Sequence, residues 1–174
     1  MAKALIDALV GRFPDAVYDP YVGVGVDDCA FVRKDRIEDV CRFLKADPAM
    51  RFDLAPYITA VDYLGQDPRF EVVYNLLSIP NNARIRLRVK VPEGDLVVPS
   101  VVSVWRGADW FERYCFDMYG IPFTGHPDLR RLLMYDEFVG HPLRKDYPLR
   151  GRQPLTPERD IKDIYRGPGP AGRD

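Results

Sequence analysis

The chain has 174 residues, 47% of them hydrophobic, and a formal net charge of −1. These values suit one globular domain and argue against wholesale disorder. A nearly neutral chain also lacks the strong positive field that recruits nucleic acid or anionic lipid.

The cysteines and the hydropathy profile bear on the compartment. Cys29, Cys41 and Cys115 are far apart and form no CxxC pair, which suits a reducing compartment better than a disulfide framework. No apolar run approaches the roughly 18 residues of a membrane-spanning helix, and the N-terminus does not resemble a signal peptide. We therefore expect a soluble, cytoplasmic protein without a membrane span, and a place on a membrane complex stays open.

The N-terminal part of the chain predicts a helix, a hairpin and a second helix. The first helix is indicated by four residues on one face: Ala4, Leu5, Ala8 and Leu9. Val22, Val24 and Val26 alternate with other residues, which predicts a hairpin strand paired with residues 30–32. Apolar residues at i, i+3, i+4 and i+7 predict the second helix: Ile37, Val40, Cys41 and Leu44.

Three strands and a third helix follow. The strand segments are PYITAVDYLG, RFEVVYNLLSI and RIRLRVKVP, and the last alternates apolar with basic residues, so one face is buried and the other solvated. An apolar stripe in ADWFERYCFDMYG predicts a helix that ends at Gly120. We expect residues 1–120 to form an α+β domain, a two-layer sandwich of a mixed or mostly antiparallel sheet of about five strands with helices on one face.

Residues 121–174 differ in character. They are rich in proline, glycine and arginine and show no sustained periodicity, apart from a possible turn of helix after Pro127. The segment between Leu129 and Leu149 still carries more large apolar residues than a plain linker would. We interpret residues 121–174 as an extended arm that a partner protein covers. An arm folded back on its own domain is the alternative.

The only two histidines, His126 and His141, lie in this arm, each within a Gly-His-Pro sequence. They are too far apart for the paired spacing of zinc sites. Cys115 falls on the apolar stripe of its helix and there is no GxSxG sequence, which disfavours nucleophilic catalysis. The glycines of GVGVDD do not form GxGxxG, and three dispersed cysteines cannot supply four thiolates to an iron–sulfur cluster. We therefore expect no metal, cofactor or catalytic site in this chain.

Docking is the favoured interpretation of the arm. Arginine, tyrosine and bulky apolar residues beside prolines are typical of a preorganised interface. The basic strand RIRLRVKV is more simply an exposed sheet face than a nucleic-acid site, so we expect no nucleic-acid partner. The expected partner-contacting residues are His126, Leu129, Arg130, Arg131, Leu132, His141, Leu143, Arg144, Lys145, Asp146 and Tyr147.

The same residues resemble a known family. GHPDLRRLLM followed by GHPLRKDYPL is similar to the signature of the 30-kilodalton subunit family of respiratory complex I, the C-type subunit of NADH–quinone oxidoreductase. The upstream segments ITAVDYLG, RFEVVYNLLS, RIRLRVKVP and WFER…DMYGI resemble that family in the same order. The resemblance covers about residues 50–150.

The resemblance implies a cofactor-free, non-catalytic subunit of the peripheral arm, in the quinone module of a proton-translocating enzyme. Its extended C-terminal segment would lie on the larger, D-type subunit of that module, near the iron–sulfur subunits. FMN, the iron–sulfur clusters, NADH and quinone would be bound by other subunits. The complex would lie on the cytoplasmic side of the inner or plasma membrane, with this subunit peripheral.

Other interpretations stay open at this point. Equivalent subunits occur in membrane-bound hydrogenases and in ferredoxin-linked or coenzyme F420-linked dehydrogenases, which the signature separates poorly. A free-standing enzyme that uses His126 and His141 is a further alternative, and a nucleic-acid binder is another.

Overall fold

The computed structural model describes residues 2–23, 27–151 and 153. The described residues contain three α-helices, α1 (Ala2–Arg12), α2 (Ile37–Ala46) and α3 (Ala108–Tyr119). The strands are β1 (Val17–Tyr21), β2 (Asp28–Val32), β3 (Leu54–Asp62), β4 (Phe70–Ser78), β5 (Ala83–Val91), β6 (Val98–Pro99) and β7 (Phe123–Thr124).

Strands β1 to β5 form one mixed sheet. Their order is β1-β2-β5-β4-β3, with β2 and β5 parallel and the other neighbours antiparallel. A separate parallel pair joins β6 to β7. The α+β prediction with a five-stranded mixed sheet is confirmed.

Alternation along β5 decides which face of the sheet is buried. Ile85, Leu87, Val89 and Val91 are all buried, whereas the basic residues between them are exposed or half-buried. The buried side chains join one core cluster with residues of all three helices, such as Leu9, Leu44 and Cys115. The helices therefore cover one face, and each fully buried Leu or Ile contributes about 1.5–3 kcal/mol of transfer free energy.

The first hairpin lies earlier in the chain than predicted. Strand β1 covers Val17–Tyr21, and Val22 follows it in coil. Val24 and Val26 lie outside the described residues. Alternation did not indicate β1 because Pro20 interrupts the strand and Asp19 adopts a positive φ of 44°.

The end of α3 positions the arm. The helix ends at Tyr119, and Gly120 follows with φ 73° in the left-handed region, where glycine has no steric penalty. The chain then turns back along the helix, so the arm begins against the last turn of α3. Over the described residues, no helix is both long and apolar enough to cross a bilayer.

Candidate functional site

The centre of the candidate docking site is a carboxylate of α3. Asp117 is fully buried, and its Oδ2 accepts hydrogen bonds from the backbone amides of Leu132, Leu133 and Met134 at 3.0, 2.7 and 2.9 Å. Its Oδ1 accepts a bond from Nη1 of Arg131 at 2.7 Å. Three consecutive amides directed at one oxygen form an anion-binding nest.

This nest replaces the helical turn considered after Pro127. Residues 127–134 are not helical, because three amide donors that a helix would orient along its axis converge instead on Asp117. The bonds also act on the carboxylate. Burial by itself raises the pKa of Asp117, but the amides and the guanidinium of Arg131 more than offset it and hold the pKa below its usual value.

The second Gly-His-Pro segment caps the C-terminal end of α3. The last four carbonyls of a helix have no partner within it. Here the carbonyl of Phe116 accepts from the Gly120 amide at 2.9 Å, and that of Asp117 accepts from Nδ1 of His141 at 2.9 Å. The next two carbonyls, of residues 118 and 119, accept from the amide of Leu143 at 3.1 Å and from Nε of Arg144 at 2.6 Å. The arm therefore satisfies three carbonyls of the helix end in sequence.

Gly120 makes this approach possible. A Cβ at Gly120 would lie 2.6 Å from ring atoms of His141 and 2.7 Å from Nη2 of Arg144. Burial lowers the pKa of His141, and the cations Arg144 and Arg131 lower it further. Because its acceptor is a carbonyl oxygen, Nδ1 of His141 carries a proton and donates to the helix.

The first Gly-His-Pro segment is anchored at the start of α3. Nδ1 of His126 accepts the Asp128 amide at 3.0 Å, so Nε2 carries the proton and donates to the carbonyl of Asp109 at 3.2 Å. Arg113 continues the contact by donating to the carbonyls of Arg130 and Arg131. Both histidines thus bind backbone carbonyls of the same helix, one at each end.

An ion cluster at the end of β3 holds the distal part of the arm. Arg69 is 4% exposed and donates to both oxygens of Asp62 at 2.9 Å, to Glu93 at 2.6 Å and to Asp146 at 2.9 Å. The amide of Lys145 donates to Asp62 at 2.8 Å. Hydrogen bonds from Arg69 lower the pKa of both Asp62 and Asp146. Because Asp146 belongs to the arm, this cluster ties the arm to the sheet.

The remaining predicted contact residues divide into packed and exposed groups. Tyr147 stacks on Phe138, with ring centroids 5.9 Å apart, and accepts a hydrogen bond from Gln153. Leu129 and Leu132 are half-buried. Arg130, Leu143 and Lys145 are exposed, and among the described residues the ion pair of Arg130 is with the exposed Asp128, at 2.9 Å.

The polar side chains of this set are thus largely turned inward. His126, Arg131, His141, Arg144 and Asp146 each bind groups of the chain's own domain. Over this part the arm is folded back, which is the alternative left open from the sequence. Their direct contact with a partner stays a prediction.

Sequence reasoning missed several residues of the site. Asp117, Asp62 and Arg69 organise the arm, but an acid in a helix or at a strand end normally indicates only a solvated surface. Five side chains that project outward were not among the predicted contact residues, although the excess of large apolar residues between Leu129 and Leu149 was interpreted as partner-covered: Trp110 (62% exposed), Leu133 (60%), Tyr135 (43%), Val139 (66%) and Leu149 (98%). The dense large apolar residues of the arm were the available signal. We call these five residues with Leu143 the outer apolar strip.

Metal-ligating and nucleophilic side chains bear on whether this chain holds a metal or catalytic site. In the ranges that the structure describes, no three His, Cys, Asp or Glu side chains are placed to hold a metal ion. The free thiols Cys41 and Cys115 are buried, and burial raises the pKa of both well above the usual range for thiols. Neither thiol is poised as a nucleophile.

Comparison with known proteins agrees with the motifs. The family model of the respiratory-chain NADH dehydrogenase 30 Kd subunit matches residues 30–153. The C-type subunit of NADH-quinone oxidoreductase from Geobacter sulfurreducens is 54% identical over 121 residues, 69% of this chain and 74% of that protein. Its counterpart from Roseiflexus sp., of the same name, is 49% identical over 145 residues, 83% of each chain.

Two solved structures were also found to be similar to this chain. A structure of Nqo5, a trypsin-resistant fragment (1-134), superposes with a TM-score of 0.61 at 30% identity, covering 73% of this chain and 98% of that one. A membrane-bound sulfane sulfur reductase, an archaeal respiratory membrane complex, holds a chain with a TM-score of 0.74 at 22% identity, covering 99% and 95%. That second likeness shows the fold alone. The likeness to Nqo5, the match to the family model and the identities to the C-type subunits together confirm the resemblance. This chain therefore belongs to the 30 Kd subunit family of the respiratory-chain NADH dehydrogenase, the family of C-type subunits of the multi-subunit NADH-quinone oxidoreductase.

Proposed function

We propose that this chain is a structural subunit of the peripheral arm, without a cofactor of its own, and that it docks through residues 121–174 onto the D-type subunit of the quinone module. Neighbouring iron–sulfur subunits would complete its surroundings. FMN, the iron–sulfur clusters, NADH and quinone would be bound by those other subunits. The chain would lie peripherally on the cytoplasmic side of the inner or plasma membrane.

One observation carries the proposal. The polar groups of the arm are satisfied inward, through Asp117, the end of α3 and Arg69, whereas its large apolar side chains project outward. Apolar groups exposed on a rigid, hydrogen-bonded frame lose little conformational entropy when a partner covers them. Leu133 and Val139 are two such outward-projecting apolar side chains, at 60% and 66% exposed.

The predicted contact residues then have two roles. His126, Arg131, His141, Arg144, Asp146 and Tyr147 hold the arm in shape. Leu143, with Leu129 and Leu132 at its margins, contributes apolar contact, and the exposed Arg130 and Lys145 pair with acids or carbonyls at the rim of the interface. Rim charges of this kind influence the association rate more than the affinity.

The test is a charge placed in the outer apolar strip. The double variant Leu133→Asp/Val139→Asp should fold normally, because both side chains are exposed, and should fail to enter the complex on a native gel of solubilised membranes. Leu64→Asp is the matched control, since Leu64 is 49% exposed and lies in the β3–β4 connection, outside the arm. Assembly of the double variant at the level of the control would overturn the proposal.

A second pair of variants separates docking from catalysis by this chain. His126→Ala and His141→Ala remove bonds that hold the arm, so a docking subunit loses assembly first. A free-standing histidine enzyme would instead lose turnover while its assembly stayed unchanged.

A further inference from the structure

The face of the sheet opposite the helices is polar and basic. Strand register brings Tyr18, Phe31, Arg88, Val73 and Thr59 into one row across all five strands. The neighbouring row holds Cys29, Arg86, Asn75 and Tyr57. These side chains alternate with the core residues and are not part of the core cluster. We call this surface the open sheet face.

Strand β5 supplies the charge of the open sheet face, through Arg84, Arg86, Arg88 and Lys90. Two of the four are already neutralised within the chain. Arg88 forms a bidentate pair with Glu71 at 2.5 and 2.8 Å, and Arg86 donates to Asp27 at 3.3 Å. Arg84 and Lys90 form no ion pair with any described residue, so two exposed cations remain at opposite ends of the strand. A third acid, Asp67, lines the same cavity as Lys90.

Two further features suit a protein ligand better than a phosphate backbone. Asn75 is 8% exposed, and its Nδ2 donor has no partner among the described residues while its Oδ1 accepts from Arg86. Separately from Asn75, a cavity of about 270 Å³ is lined by Phe31, Tyr63, Phe70, Glu71, Arg88 and Lys90 among others. The carboxylates of Glu71 and Asp67 at this cavity would repel a continuous line of phosphates. An irregular acidic peptide can place its charges away from them.

The size of the face is sufficient for a specific contact. Five strands about 4.8 Å apart and about 25 Å long present roughly 500 Å². Covered by a partner, that gives roughly 1,000 Å² in total, the lower bound for a specific interface.

We propose that the open sheet face binds an acidic segment of another protein, whose carboxylates pair with Arg84 and Lys90 and whose side chain or carbonyl oxygen accepts from Asn75. This is a second docking surface, separate from the outer apolar strip. Aromatic and aliphatic side chains of the segment would fill the cavity between Phe31 and Phe70. The proposal goes beyond the docking function of the arm and does not depend on it.

Photo-cross-linking in cells tests the proposal on the full chain. A benzophenone amino acid replaces Tyr57, which is 46% exposed on the open sheet face beside Asn75, and in a separate strain it replaces Tyr135 of the outer apolar strip. The Tyr57 position should yield a covalent adduct with a protein segment that has more acidic than basic residues. The Tyr135 position reports the docking of the arm independently.

Charge reversal on β5 is the second part of the test. Arg84→Glu/Lys90→Glu should lower the yield of the Tyr57 adduct by about tenfold or more, because two attractive pairs become repulsive. Arg12→Glu/Arg106→Glu, at two exposed arginines of the helix layer, is the matched control and should leave the yield unchanged.

Three outcomes would overturn the proposal. The first is absence of any adduct from Tyr57 while Tyr135 cross-links. The second is an adduct with a segment that lacks acidic excess or is insensitive to charge reversal. The third is a nuclease-sensitive adduct. Loss of the Tyr135 adduct alone would count against docking by the arm and would leave the open sheet face supported.

Discussion

The carboxylate of Asp117 lies 2.7 Å from the guanidinium of Arg131, fourteen residues further along the chain, and binds three backbone amides beside it. Arg131 in turn donates to the carbonyls of Phe138 and Gly140 at 2.9 and 3.2 Å. One buried acid and one arginine thereby connect helix α3 to two successive loops of the arm. The shape of the arm depends on this pair more than on its own secondary structure.

Asp117→Asn should release the arm while the sheet stays folded. An amide oxygen cannot serve three amides and a guanidinium equally, so we expect a loss of about 2–4 kcal/mol in the free energy of unfolding. Hydrogen exchange should accelerate at the amides of Leu132, Leu133 and Met134. Asp128→Asn is the control, because Asp128 pairs with Arg130 in solvent and should contribute less than about 1 kcal/mol. Unchanged protection of the three amides would contradict the role of Asp117.

Gly120→Ala should destabilise the chain more than Gly125→Ala. Both glycines have positive φ, at 73° and 82°, so both substitutions carry a similar backbone cost of about 1–2 kcal/mol. Only at Gly120 does the new methyl group meet His141 and Arg144, whereas nothing lies within 4 Å at Gly125. We expect a further loss of about 1–3 kcal/mol at Gly120 from displaced hydrogen bonds. Urea unfolding of both variants checks this, and equal midpoints would show that the arm does not press on the helix end.

Arg69→Met should be among the most damaging single substitutions of a charged residue in this chain. It leaves Asp62, which is 3% exposed, as a buried carboxylate without its cation, a situation that costs about 3–5 kcal/mol. Arg84→Met removes an equally charged but exposed residue and should change stability by less than about 1 kcal/mol. Chemical denaturation compares the two. If their midpoints coincide, the Arg69 cluster does not stabilise the fold.

Glu112 predicts an unusual dependence of stability on pH. It is fully buried in α3 and accepts hydrogen bonds from Ser100 Oγ at 2.6 Å and the Val101 amide at 2.7 Å. Burial nevertheless raises the pKa of Glu112 to about 7 from its usual 4.5. The folded state therefore holds a proton between pH 4.5 and about 7 that the unfolded state has released. Stability contributed by this group falls as pH rises through that window, by about 3 kcal/mol in total, and is constant outside it.

Glu112→Gln isolates that contribution. Glutamine keeps one acceptor for the Val101 amide and can donate to Ser100 Oγ, so the variant should match the parent near pH 5 and exceed its stability at pH 8. Urea unfolding at several pH values measures the difference between the two proteins. A difference that does not vary between pH 5 and pH 8 would refute the raised pKa.

The sequence predicted the sheet and helices well where periodicity reports burial. Ile85 to Val91 alternate with basic residues, so the orientation of β5 followed directly. In α3 the predicted apolar stripe was right for the buried Cys115 and Met118 but wrong for Trp110, which is 62% exposed. The predicted position of the first hairpin strand was wrong by several residues, because Pro20 interrupts the alternation of apolar and polar residues in β1. Where each strand begins and ends depends on the neighbouring strands to which it is hydrogen-bonded. The periodicity of a short sequence segment carries no information about those neighbours.

The organisation of the arm could not be predicted in the same way. Asp117 looks like any acid in an amphipathic helix until residues 132–134 return to it, and that return is tertiary. His126 and His141 were recognised as a related pair, but their acceptors are carbonyls of α3, which no side-chain pattern reveals. The outward direction of Leu133 and Val139 follows only once the polar groups are known to face inward.

The most direct test of the docking function is purification of the tagged chain from its own detergent-solubilised membranes, with identification of every retained protein by mass spectrometry. Docking by the arm predicts that a homologue of the D-type subunit, iron–sulfur subunits and the flavin-bearing NADH module are retained in stable proportion to the tagged chain. Recovery of a folded, monomeric chain without any of these proteins would contradict it.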